Sequence, residues 1–132
     1  MDVKKRIEAL EQELRDLASQ LGLSDLVTFT GYLPEREQIY SLLHRSDIFL
    51  TPSVYEGFCV AAVEAMGCGL PVVASDIDVF REVIGEQGFF VPHDKPEAIA
   101  TQLIEVVSEL DSEQVQRRKE KLRQRAVSKF SL

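Results

Sequence analysis

Three short apolar runs, Asp47 to Thr51, Pro71 to Ala74 and Gly88 to Val91, are separated by stretches with helical patterning. Each is too short for a buried helix and is bounded by Pro or Gly, so each reads as a strand. A fourth strand is predicted ahead of them at Leu26 to Thr30, a β-branched and aromatic run closed by Gly31. Strands that alternate with helices across short loops run parallel, and a parallel sheet needs cover on both faces. The expected class is therefore α/β: three layers, about four parallel strands, helices on both faces, within one domain spanning 1–132.

The helices are legible from periodicity and punctuation. Val3, Ile7, Leu10, Leu14, Leu17 and Leu21 recur at alternating steps of four and three, and Gly22 stops them. That stripe is expected to be buried against the sheet, with a coiled-coil homodimer as the alternative. Further helices are predicted from Pro34 to about Arg45, from about Gly57 to Met66, from Phe80 to Ile84, from Pro96 to Leu110 and from Ser112 to Phe130.

Charge excludes one class of function. The net charge of −7 speaks against a general nucleic-acid binder, which carries a basic excess. The exception is residues 117–129, where Arg117, Arg118, Lys119, Lys121, Arg123, Arg125 and Lys129 face one acid, Glu120. This basic helix reads as a solvated face, with a weak membrane-surface contact as the alternative; its apolar side, Val115, Leu122, Val127 and Phe130, is thin. No apolar run approaches the ~20 residues of a bilayer span, and the polar N-terminus is unlike a signal peptide, so a cytoplasmic location is expected. Cys59 and Cys68, nine residues apart on one helix, are separated by about 13 Å along its axis, too far to bridge. They are expected to be reduced and to act as small buried hydrophobes.

The chemistry concentrates in Pro52 to Pro71 (PSVYEGFCVAAVEAMGCGLP), where a strand ends, a glycine follows and a helix begins. In open α/β sheets the carboxyl ends of the strands are where ligands bind, and the free N–H groups of a helix start suit an anion. Two acids frame that start: Glu56 in the loop, and Glu64 about 9 Å further along the axis from Phe58. A carboxylate is a poor phosphate ligand but a good acceptor for vicinal hydroxyls. The layout fits a phosphate with hydroxyls on either side, as in a sugar nucleotide. His44 and His93 are isolated, and no metal site is expected.

This segment resembles the Glu, any seven residues, Glu motif of retaining GT-B glycosyltransferases of the glycosyl transferases group 1 type. The match continues through Val72-Val73-Ala74-Ser75-Asp76, Glu82, Gly88-Phe89-Phe90-Val91-Pro92-His93-Asp94 and Ala98, and covers about residues 10–130. The resemblance implies a partial Rossmann-like fold that binds a nucleotide sugar such as a UDP- or GDP-hexose, without another cofactor. It implies that Glu56 is the catalytic-site acid, accepting hydrogen bonds from the donor sugar. Gly57, Phe58, Cys59 and Val60 would present their backbone to sugar and diphosphate, Glu64 would hold the ribose, and Gly31 and Tyr32 would lie by the base.

The departures from that family are also legible. Its donor-binding domain starts with two further strands whose loop carries an Arg and a Lys for the diphosphate, and neither is in this sequence. An N-terminal acceptor-binding domain is missing as well, so the resemblance implies a piece cut at both ends and inactive alone. The competing reading is a non-catalytic assembly module that keeps the fold and associates with a partner or with itself. A flavodoxin-like nucleotide-binding regulator is a third reading, but its phosphate loop belongs after the first strand.

Overall fold

The computed structural model describes residues 2–130. These fall into two compact units, one up to Pro34 and one from Glu35 onward.

The N-terminal unit is built on α1, Val3–Gln20. Asp2 caps it by accepting from the Lys5 amide at 2.9 Å. At the other end Gly22 takes φ +71°, and the Gly22 and Leu23 amides donate back to Ser19 and Ala18, a Schellman arrangement that satisfies two terminal carbonyls. The predicted stop at Gly22 therefore has its expected cause. Only Ala18 of α1 is buried, and the apolar stripe from Val3 to Leu21 remains exposed, so the burial expected of it is not realised within this unit.

A single 3-10 turn, Ser24–Leu26, follows. It displaces the start of the strand predicted at Leu26 to Thr30, and no strand forms there. Val27 has extended angles, φ −119° and ψ 125°, but the segment has no ladder partner. Its β-prone residues supply the conformation; a strand also needs a neighbour to pair with. Phe29 is engaged instead by Arg15 of α1, whose guanidinium lies 4.6 Å from the ring centroid.

The C-terminal unit alternates as predicted: α2 (Arg36–His44), β1 (Phe49–Thr51), α3 (Val60–Gly67), β2 (Val72–Ser75), α4 (Asp78–Ile84), β3 (Phe89–Val91), α5 (Pro96–Ser108) and α6 (Glu113–Phe130). The three strands form one parallel sheet in the order β1-β2-β3, with Leu50 opposite Val73 and Ala74 opposite Phe90. The central strand is buried at all four positions, which is why it reads as an unbroken apolar run. Its residues feed two cores. Val72 and Ala74 join Leu43, Ala62, Val63, Met66, Phe80, Val83, Ile84, Leu122 and Ala126. Val73 joins Val91 and Val106, with Ile99 and Leu103 of α5 packed alongside. The expected α/β class and three layers are both present, with three strands in place of four.

The basic helix α6 is more structural than its composition implies. It buries Val115, Leu122 and Ala126, while Val127, which the sequence placed on the apolar side, is 46% exposed. Arg125 donates to the carbonyls of Glu82 (2.7 Å) and Val83 (3.0 Å), closing the C-terminal end of α4 where Gly85 turns at φ +80°. Arg118 lies 4.3 Å from the Phe89 ring centroid and donates to the Gln87 and Gly88 carbonyls. Among the described residues no helix is long and apolar enough to cross a membrane.

Candidate functional site

The site begins where β1 ends. Thr51 is buried, and Pro52, which has no amide hydrogen, ends the ladder. The chain then crosses the C-terminal edge of the sheet as the loop 52–59. Within it Ser53 Oγ lies 3.4 Å from Thr51 Oγ1 and donates to Glu56 Oε1 at 3.2 Å. Glu56 is half-buried, so one of its oxygens has a fixed internal donor.

α3 starts at Val60, three residues later than the Gly57 start predicted from sequence. The cause is Cys59, at φ 35° and ψ 80°, the one residue other than glycine with positive φ among those described. A left-handed residue cannot continue a right-handed helix, so Gly57 and Phe58 belong to the loop. The N-cap makes no side-chain hydrogen bond, although the Cys59 thiol lies close enough to the Ala62 and Ala61 amides to feel them. The amide of Val60 has no acceptor among the described residues, and the residue is exposed. Burial pushes the Cys59 thiol up from its ordinary range, and the nearby Glu56 carboxylate adds to the effect. Burial raises the Cys68 thiol too. Both cysteines are free, but they cap α3 at its two ends and are only partly buried, in place of the buried positions within the helix expected from sequence.

From its third residue α3 is buried continuously, Ala62 to Met66, and Glu64 lies inside that run. It is 6% exposed and is engaged through Oε1 by Arg36 Nη1. Arg36 opens α2, and the same nitrogen lies 3.4 Å from Tyr40 Oη one turn on. Hydrogen bonding to Tyr40, with the Glu64 charge behind it, raises the Arg36 pKa further above its ordinary value. Tyr40, His44, Glu64, Gly67, Cys68 and Val127 line an open groove on this side.

Arg36 did not figure among the residues singled out from sequence. The available signal was indirect: an acid at a core position of a helix needs a cationic partner, because an unpaired buried charge is costly. Nothing local says which of the chain's 15 cations supplies it.

Phe58 also has a structural partner. Its ring meets Phe130 of α6 edge-on at 5.3 Å, and the two border a cleft of about 220 Å³ shared with Gly57, Val79, Glu82, Val83 and Lys129. Asp76, just past the end of β2, pairs with Arg81 at 2.7 and 3.0 Å. Glu56, Gly57, Phe58, Cys59, Val60 and Glu64 thus all lie on β1–α3 of the C-terminal unit. Gly31, at φ +67°, and Tyr32, 89% exposed, lie in the N-terminal unit.

Comparison with known proteins places these elements in a family. The model of the glycosyl transferases group 1 family matches residues 8–125. The chain is 40% identical over 95 residues to the GDP-mannose:cellobiosyl-diphosphopolyprenol alpha-mannosyltransferase of Xanthomonas oryzae pv. oryzae, an alignment covering 70% of this chain and 25% of that protein. It is 37% identical over 76 residues to the lipopolysaccharide core biosynthesis mannosyltransferase LpsB of Rhizobium meliloti, covering 58% and 21%. The chain thus spans a quarter or less of the length of the curated relatives it matches, from 11% to 25%. Among solved structures, sucrose-phosphate synthase from Thermosynechococcus elongatus superposes with a TM-score of 0.71 at 24% identity, over 93% of this chain and 33% of that one, a likeness of fold. The match to the family's model over nearly the whole length shows that this chain belongs to the glycosyl transferases group 1 family.

Proposed function

We propose that the chain binds the nucleotide-sugar donor of a retaining hexosyltransferase and needs a separate acceptor-binding domain to transfer the sugar. The observation that carries this reading is the β1–α3 turn: an exposed helix-start amide without an acceptor at Val60, with Glu56 in the loop before it and Glu64 after it on the helix. That amide and the positive end of the helix suit the diphosphate. Glu56, steadied by Ser53, accepts from hydroxyls of the hexose, and Glu64 accepts from the ribose. Gly57, Phe58 and Cys59 line the approach with backbone. The donor is a GDP- or UDP-hexose; the relative whose name specifies GDP-mannose favours the former. No metal or further cofactor has a role in this scheme, since the helix amides supply the charge stabilisation.

The test is calorimetry with GDP-mannose and UDP-glucose on the chain and on Glu64→Ala. Binding by the wild type that the substitution abolishes supports a donor site. No binding to either compound refutes it and favours an assembly module.

A further inference from the structure

Glu64 is tied at one oxygen only. Oε1 is taken by Arg36 Nη1, whereas Oε2 has no hydrogen-bond partner among the described residues and is not sealed from solvent. A carboxylate free to rotate on a helix would divide its time between orientations. One clamped at Oε1 by a cation keeps the lone pairs of Oε2 aimed in one direction. The clamp is itself held. Arg36 lies at the start of α2 with its side chain 62% exposed, and Tyr40 Oη, one turn along, fixes the nitrogen that reaches Glu64.

We propose that Arg36 is a positioning residue for nucleotide recognition: it orients Glu64 so that Oε2 meets the ribose hydroxyls, without itself touching the ligand. This rests on the donor-site reading above and specifies how one half of it works. It separates two roles that a basic residue beside a nucleotide site can play. A phosphate contact acts on every nucleoside diphosphate alike. A residue that acts through Glu64 matters only when the ligand carries the hydroxyls that Glu64 accepts.

The experiment is calorimetric titration with GDP and with 2′,3′-dideoxy-GDP, which lacks both ribose hydroxyls. The proteins are the wild type, Arg36→Ala, Arg36→Lys, Glu64→Ala and the double variant, each checked for folding by thermal unfolding. The wild type is expected to prefer GDP. Arg36→Ala should weaken GDP binding about 10-fold while leaving dideoxy-GDP within about 2-fold, and Arg36→Lys, which still offers a cation to Glu64, should recover part of the preference. In the Glu64→Ala background the loss of Arg36 should have no further effect on GDP. An equal loss for both ligands, or a further loss in the double variant, would mean that Arg36 contacts the nucleotide directly and would overturn the assignment. Should Arg36→Ala fail to fold, Arg36→Lys decides: a preference for GDP that falls while dideoxy-GDP binding stays supports the proposal, and a parallel fall in both overturns it. A wild type that binds both ligands equally refutes the ribose role of Glu64, so that failure of the underlying reading is distinguishable from failure of the Arg36 assignment.

Discussion

Arg125 of α6 donates through Nε and Nη2 to the carbonyls of Val83 and Glu82, so a residue of the basic helix terminates α4. Carbonyls at a helix end have no partner within the helix, and a charged donor there also meets the negative end of the helix dipole. We predict that Arg125→Ala lowers stability by about 1–2 kcal/mol. Lys121→Ala, an exposed change on the same helix, should stay within about 0.5 kcal/mol. Urea unfolding of the two variants measures the contrast.

Leu122 is fully buried in the core that also holds Ala62, Met66 and Phe80. Leu122→Ala should cost about 2–5 kcal/mol, a large part of the stability of a domain this small. The expected readout is a lower urea midpoint, or a chain unfolded at room temperature, by circular dichroism.

Cys59 tests the backbone at the site. A β-branched side chain at φ 35° is strained, so Cys59→Val should destabilise by about 1–3 kcal/mol although it adds apolar volume. Cys59→Gly, which fits positive φ, should cost less than Cys59→Val. Urea midpoints measured side by side establish the order.

Asp76 sets a pH dependence. Its hydrogen bond from Arg81 lowers its pKa below the ordinary 3.8, so the folded state binds its proton more weakly than the unfolded chain. The resulting stabilisation is fully present above 3.8 and is lost as the pH falls through the lower folded value. Both side chains are about half exposed, so the effect is small. The difference in urea midpoint between wild type and Asp76→Asn should be present at neutral pH and vanish in strong acid.

What could be read from sequence follows from how local each signal is. Gly22 ends α1 because one residue must adopt positive φ there, a requirement visible in the residue itself. The buried run of β2 and the Pro at the start of α5 are equally local. The strand predicted at Leu26 to Thr30 failed because extended backbone is a property of the segment, whereas a strand is a property of a pair. The late start of α3 was hidden because its left-handed residue is Cys59, and the glycine that would ordinarily mark such a turn, Gly57, stands two positions earlier. The acids Glu56 and Glu64 were found by spacing, but their partners Ser53 and Arg36 differ in kind. Ser53 is three residues away and Arg36 twenty-eight, and only folding selects the second.

Amide NMR during titration with GDP shows whether the turn into α3 receives a diphosphate. The largest shifts are expected on the Phe58, Cys59, Val60 and Ala61 amides. Saturable shifts confined to other parts of the chain, with these four unmoved, would contradict it.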